Sequence, residues 1–180
     1  KGATGTNATA AGVRASAAGN FGTALGADAT ATSEKGTALG YNAKVTEDDG
    51  VALGSNSVAN TEAGVAGYDV SAADNRANKY TALTGNVATS TLGAVSVGQS
   101  TSVGNETRQI TNLAAGKKDT DAVNVAQLRN VNLKIAGNTN DNNGKNDVLL
   151  DKQTLTVKGD GTYVTTKANN QTIDVTLTND

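Results

Sequence analysis

Apolar and polar residues alternate along the first third of the chain, inside a unit of fourteen residues that repeats four times. The units begin at Thr9, Thr23, Thr37 and Val51, and a shortened copy begins at Val65. Within a unit the odd positions are mostly small or apolar, whereas the even positions that follow the leucine are polar. This alternation predicts short β-strands with one buried face. Because fourteen is an even number, each unit is expected to present the same positions to the same side.

Glycine recurs twice in each unit and predicts the corners between strands. The two columns are Gly12, Gly26, Gly40 and Gly54, and Gly22, Gly36, Gly50 and Gly64. A short fixed period is typical of a stack of identical structural units. The sequence therefore predicts a mainly β fold with a parallel β-roll solenoid over residues 1–106. An irregular excursion over residues 69–91 interrupts it before a last strand at residues 92–98.

The odd positions are expected to fill the interior of this roll. Their largest side chains are Leu25, Leu39, Leu53, Val51, Val95 and Val97. The even-numbered Ala24, Ala38 and Ala52 then point the other way and form a line of methyl groups on the exterior. We interpret this line as a contact with other subunits; the alternative is that alanine is merely tolerated there.

Composition also favours association between chains. Of the 180 residues, 37% are hydrophobic and only 3% aromatic, so large side chains for a core are scarce. Ordering one turn of fourteen residues costs about 20 kcal/mol, at roughly 1.5 kcal/mol per residue. One leucine and a few small residues per turn oppose that cost, so burial against other chains is expected.

Residues 107–131 have a different pattern, which predicts a short helix after a turn at Gly116. Asp119 or Thr120 is the expected N-cap. Apolar residues recur at every third position and form one stripe: Ala122, Val125, Leu128 and Val131. A helix this short is marginal alone. The stripe is therefore expected to dock, either in a coiled-coil seam between three chains or on its own roll.

Residues 132–180 predict a small β-rich module. Its strand candidates are residues 147–150, 153–158, 161–167 and 171–177, with hairpin turns at residues 159–161 and 168–170. The module has little core of its own.

The sequence offers no candidate catalytic, metal or cofactor site, so an enzyme is not expected. Histidine and cysteine are both absent, which removes imidazole and thiolate chemistry. Glu47, Asp48 and Asp49 form an acidic triplet, but it lies at a repeat corner where solvated carboxylates are expected. A net charge of −2 and few aromatic residues argue against binding of nucleic acid. No apolar run reaches transmembrane length, so direct membrane contact is not expected.

Two segments carry a family resemblance. GTALG, GTALG and GVALG at a fourteen-residue period resemble the head repeats of YadA-like trimeric autotransporter adhesins. TRQITNLAAGKKDTDAVNVAQLRNV, residues 107–131, resembles the neck of that family. The resemblance implies a left-handed roll, a homotrimer, and a neck that passes each chain to its neighbours. It also implies that Leu25 faces the roll interior, that Ala24 faces the trimer axis, and that Val125 and Leu128 are seam residues.

The resemblance further implies a function. Such adhesins lie on the surface of Gram-negative bacteria, anchored by a C-terminal outer-membrane barrel that this sequence lacks, so a fragment of a longer protein is expected. They bind host extracellular-matrix proteins, cell-surface receptors, glycans or other surfaces. The alternatives are a structural spacer that presents another adhesive domain and, more remotely, a carbohydrate-active β-solenoid. An ice-binding solenoid would need an unbroken outward threonine ladder, whereas the Thr9 column changes to valine at Val51.

Overall fold

The chain folds into two compact units, residues 1–112 and 113–180. The computed structural model describes residues 2–68, 83–135, 137, 147–149, 152–169 and 172–178. The first unit is a parallel β-solenoid of four turns followed by a short hairpin. Each turn of the solenoid contributes one strand to each of two sheets.

The strands of the roll are two or three residues long and pair with the strand fourteen residues away. Thr23 lies opposite Thr37, and Thr30 lies opposite Lys44. The first sheet has the order β1-β3-β5-β7-β9, with strands Thr9–Ala11, Thr23–Leu25, Thr37–Leu39, Val51–Leu53 and Val95–Ser96. The second sheet has the order β2-β4-β6-β8, with strands Ser16–Ala17, Thr30–Ala31, Lys44–Val45 and Val58–Ala59. The parallel solenoid expected from the repeat is confirmed.

The interior of the roll is narrow and is filled by small side chains. One buried residue lies at the centre of each half-turn, and successive ones are seven residues apart: Ala17, Ala24, Ala31, Ala38, Val45, Ala52 and Ala59. A second buried series follows the same spacing: Ala15, Gly22, Ala29, Gly36, Ala43, Gly50 and Ser57. Val45 is the largest fully buried apolar side chain.

The sequence assignment of the interior was therefore wrong in the first sheet. Leu39 and Leu53 are 42% and 45% exposed, and Val95 is 67% exposed. Leu25, Val51 and Val97 are half-buried rather than central. Conversely the alanines expected at a subunit contact, Ala24, Ala38 and Ala52, are fully buried inside their own chain and cannot contact another.

The physical reason is that a half-turn contains seven residues, an odd number. Side chains alternate along a strand with period two. The inward residue is therefore even-numbered in one sheet, at Ala38, and odd-numbered in the other, at Val45. Because the full unit has an even length, equivalent strands of successive turns bury positions of the same parity, all even or all odd. The two strands within one turn are seven residues apart, so they bury positions of opposite parity.

The corners repeat with the same spacing of seven. Eight successive corners hold a residue other than glycine in the left-handed region, with φ between 54° and 60°: Asn7, Arg14, Phe21, Asp28, Lys35, Asn42, Asp49 and Asn56. The expected glycine corners are confirmed for one column, where Gly26 has φ 131°. In the other column, Gly36 and Gly50 are needed for a close approach instead, since a Cβ built on either would lie 3.0 Å from Val45 Cγ1, whereas Gly64 has φ 84°.

The roll closes with a strand supplied from further along the chain. Ala66 and Thr89 form an antiparallel bridge, so the shortened repeat copy at Val65 does not form a fifth turn. Val95 pairs in parallel with Val51, which confirms the last strand expected at residues 92–98. Much of the irregular excursion expected over residues 69–91 falls outside the described residues, which resume at residue 83. An antiparallel hairpin follows, with β10 at Gln99–Thr101 and β11 at Gly104–Glu106.

The second unit contains helix α1, Val125–Arg129, and two antiparallel strand pairs. β12, Asn132–Lys134, pairs with β13, Asp147–Leu149. β14, Val164–Asn169, pairs with β15, Thr172–Leu177. The strands predicted at residues 147–150, 161–167 and 171–177 are thus present with shifted ends, whereas residues 153–158 form no strand. Within the described ranges, no helix has the length and apolarity needed to cross a membrane.

Candidate functional site

The outward side of the first sheet carries a row of uncharged side chains. Residues on either side of an inward alanine point outward because strand side chains alternate. In β3, β5 and β7 these positions hold Thr23 and Leu25, Thr37 and Leu39, and Val51 and Leu53. We call these six residues the leucine face.

The leucine face is continuous along the roll axis. Leu25 lies opposite Leu39, and Leu39 lies opposite Leu53, in consecutive strands of the ladder. Neighbouring strands in a sheet are about 4.8 Å apart, so the three leucines form one unbroken column. The two that are more than 40% exposed, Leu39 and Leu53, are at the end nearer β9.

The second sheet presents a more polar surface. Its outward positions, aligned by the same register, are Ser16, Thr30, Lys44 and Val58. Lys44 is exposed, and Thr30 donates a hydrogen bond from its hydroxyl to the carbonyl oxygen of Asp28. The roll is therefore two-sided, with an uncharged apolar column on one sheet and, apart from Val58, hydrogen-bonding or charged groups on the other. The exposed apolar column is a candidate interaction surface.

The structure brings together the predicted core leucines, but on the outside of the roll. Leu25, Leu39, Leu53 and Val51 belong to the leucine face, while Ala24, Ala38 and Ala52 lie behind it in the interior. The seven-residue recurrence of alanine, broken only by Val45, could have indicated this, because it runs through both strands of successive turns.

Helix α1 begins four or five residues later than the expected N-cap, Asp119 or Thr120, indicated. Its N-cap is Asn124, whose side-chain oxygen accepts a hydrogen bond from the Gln127 amide at 3.0 Å. Gln127 in turn accepts from the Asn124 amide at 3.2 Å. The pair is a capping box, and Asn-x-x-Gln is the signal that would have found it. The helix is five residues long.

The segment before α1 is held by side chains rather than by helix. Gln127 also binds the backbone of Gly116, accepting from its amide at 2.9 Å and donating to its carbonyl at 2.8 Å. Asp121 accepts from the amides of Lys117 and Lys118. These two hydrogen bonds lower the pKa of Asp121. Asp119 and Thr120 therefore lie in a turn, and the helix cap expected there was wrong.

The four residues of the predicted seam are all exposed in the single chain. Val125 and Leu128 lie three apart within α1 and are 65% and 67% exposed. Ala122 precedes the helix cap and Val131 follows the last helical turn. The assignment of these residues to a seam between chains stays a prediction.

The acidic triplet lies at a corner, as its place in the repeat suggests. Asp48 accepts a hydrogen bond from the Glu34 amide at 2.8 Å, one turn earlier. Asp49 occupies the left-handed corner position with φ 57°. The Asp48 carboxylate thus joins two successive turns at this corner. Across the described ranges, no cluster of three or more acidic side chains is suited to hold a metal ion.

Two family models match the chain. The YadA head domain repeat matches in two copies, over residues 3–29 and 31–66. The coiled stalk of trimeric autotransporter adhesin matches over residues 109–151. The head matches coincide with the roll, and the stalk match runs through α1, β12 and β13. Together the two models account for more than half of the chain.

Two solved structures are also similar. The C-terminal YadA-like domain of a Burkholderia pseudomallei protein is 30% identical with a TM-score of 0.39, and the similarity covers 63% of this chain and 42% of that one. The collagen-binding domain of the Yersinia adhesin YadA is 27% identical with a TM-score of 0.34, over 69% of this chain and 66% of that one. The chain thus spans less than half of the first relative's length. No match was found among curated proteins.

Proposed function

Because the chain belongs to the YadA-like trimeric autotransporter adhesins, we propose that it serves attachment of a bacterium to host cells, extracellular matrix or other surfaces. Its role in this proposal is binding rather than catalysis. The observation that supports the trimeric assembly on which this binding depends is the leucine face, an uncharged apolar column on a roll whose own interior is already filled.

Three copies of the chain cover the leucine face in this account. The exposed fractions of Leu39 and Leu53 are 42% and 45%. Complete burial of a leucine contributes about 1.5–3 kcal/mol, so the exposed part of each corresponds to about 1 kcal/mol per chain. Two such residues in three chains contribute about 6 kcal/mol to a trimer. This is the lateral burial that a roll with an alanine interior lacks.

A trimer also explains how a surface without a deep pocket binds. Each weak epitope on the polar sheet is present three times, and binding of a second copy is intramolecular. Overall avidity can then exceed single-site affinity by about 10²–10⁴. The partner in this proposal is an extracellular-matrix protein, a cell-surface receptor or a glycan.

The proposed organisation along the chain is a head over residues 1–106, a neck over residues 107–131 and a β-rich module over residues 132–180. The proposed location is the bacterial cell surface, with the segment held outward by an outer-membrane anchor of the full-length protein. Nucleic acid and lipid are not proposed as partners.

Binding of the chain to immobilised matrix proteins, including collagen, and to cultured host cells tests the proposal. The full chain should bind at least one of these surfaces, and Leu39→Asp should weaken that binding because it places a charge on the leucine face. Lys44→Ala lies on the opposite sheet, away from the leucine face, and should leave assembly unchanged; it is a control for the trimer mass and not for binding. Absence of binding by a well-folded trimer to every surface would contradict the adhesive role and favour a spacer.

A further inference from the structure

The corners at Asp28, Asn42 and Asn56, which lie on one side of the roll, follow one hydrogen-bonding rule. At each of these three corners, two backbone amides donate to carbonyls of the preceding turn, fifteen residues earlier. The pairs are Gly26 to Ala11, Gly40 to Leu25 and Gly54 to Leu39 at 2.8 Å, with Asp28 to Val13, Asn42 to Ala27 and Asn56 to Tyr41 at 2.8–2.9 Å. Each turn therefore leaves two carbonyls to be bound by the turn that follows.

The last corner departs from this rule. The carbonyls of Leu53 and Ser55 stand in the positions that a following turn would bind. Side chains bind them instead. The Ser57 hydroxyl donates to the Leu53 carbonyl at 2.8 Å, and Nη2 of Arg108 donates to the Ser55 carbonyl at 2.7 Å.

The Arg108 guanidinium also occupies the space of a following turn. A Cβ built on Gly40 would lie 2.6 Å from the backbone carbon of Gly54, in the next turn. A Cβ built on Gly54 would meet Arg108 instead, 3.1 Å from its Cζ. Nη1 of Arg108 donates to the Ser57 hydroxyl at 3.1 Å and to the Val97 carbonyl. The planar group therefore lies over the last glycine as the next corner would.

The sequence at this corner also changes, from alanine to a residue that can donate a hydrogen bond. Position 57 belongs to a column that holds alanine in the three preceding turns, at Ala15, Ala29 and Ala43. Ser57 alone in this column carries a hydroxyl, and it is fully buried. A buried hydroxyl is costly unless it is hydrogen-bonded, and here it both donates and accepts.

We propose that Ser57 and Arg108 form a corner cap that ends the roll by supplying the donors of a missing turn. Terminal units of a solenoid need such closure, because an open end exposes unpaired backbone groups that other strands can bind. The cap also fixes the segment that follows the roll to the last turn. The proposal is independent of what the roll binds.

Hydrogen exchange measured residue by residue on the full chain tests the cap. In Arg108→Ala, the amides of Asn56 and Val58 should exchange about tenfold faster, since hydrogen bonds to a charged donor are stronger than neutral ones. The amide of Asp28, which lies two full turns before Asn56, should be unchanged. Lys44→Ala removes an exposed cation from the same roll and should alter neither region.

Arg108→Lys provides a second comparison if the alanine variant does not fold. Lysine keeps the charge but lacks the planar fork that reaches Ser55, Ser57 and Val97 together, so exchange at the last corner should still rise. Unchanged exchange at Asn56 and Val58 in these variants would overturn the proposal. An equal rise at Asp28 and Asn56 would also overturn it, because it would indicate general destabilisation rather than loss of a cap.

Discussion

Replacing Ala38 by leucine tests which side of the first sheet is the interior. Ala38 is fully buried, and its ladder partners Ala24 and Ala52 are fully buried as well. The largest fully buried apolar side chain of the roll is Val45. The interior therefore has no room for an isobutyl group at position 38.

The expected loss of stability follows from this packing. Leucine adds three carbon atoms, and overpacking a filled core costs typically about 1–3 kcal/mol. Position 38 is bounded by ladder strands on both sides, so the backbone has little freedom to move apart. We expect a loss of about 3 kcal/mol or more for each chain. Lys44→Leu, which adds the same side chain on the outer side of β6, should change stability by less than about 0.5 kcal/mol.

Urea denaturation followed by circular dichroism measures both variants. Equal chain concentrations are needed, because the stability of an oligomer depends on concentration. The urea midpoint of Ala38→Leu should be much lower than that of Lys44→Leu. If Ala38→Leu were as stable as the unmodified chain, position 38 would have to point outward, and the assignment of Ala38 to the interior would be refuted.

Three further predictions concern a corner, a turn and the helix. Lys35→Gly should raise stability by about 0.5–1 kcal/mol in the same denaturation assay, because Lys35 has φ 56°; a lower midpoint would contradict this. The backbone amides of residues 164, 163 and 162 donate to Asp160 and lower its pKa below the ordinary 3.8. This turn is therefore stabilised above pH 3.8, and it loses that stabilisation as the pH falls through the lowered pKa. An NMR titration that gave Asp160 an apparent pKa at or above 3.8 would contradict this. Leu128→Asp, at an exposed position of α1, should abolish assembly, and light scattering that still gave three times the chain mass would remove Leu128 from the seam.

The sequence was sufficient to predict the architecture, because a repeat of fixed length determines which strands of the backbone pair. The fourteen-residue period, its parallel register and the return of the chain at Val95 are all confirmed. The period and the register follow from the same positions recurring at the same spacing, whereas the strand at Val95 follows from renewed apolar alternation over residues 92–98. The hairpin of β14 and β15 was also predicted, through a polar turn between two alternating segments.

The side that each strand buries was not predictable from the length of the full unit. The left-handed corners recur every seven residues, and each reverses the relation between sequence parity and side-chain direction. Leucine was assigned to the interior because it is the most apolar residue of its strand. In a roll this thin, the interior accepts alanine at Ala38 and excludes Leu39. Size rather than hydrophobicity decides which residue is buried.

After the roll, the sequence did not predict the features in which side chains replace regular backbone pairing. Arg108 binds Ser55 and Ser57, more than fifty residues earlier, and no local pattern signals a contact at that distance. The helix cap at Asn124 depends on Gln127 binding both Asn124 and Gly116. Asp121, which directly follows the residues expected to cap the helix, closes a turn by accepting hydrogen bonds from the amides of Lys117 and Lys118.

The central claim is that the outward leucine column of one chain is covered by two further copies. Sedimentation equilibrium of the purified chain at micromolar concentration tests it most directly. The account predicts a folded particle with three times the 18.0 kDa chain mass, and a shift toward smaller species for Leu39→Asp. A folded particle of 18.0 kDa, with Leu39 exposed to water, would contradict it.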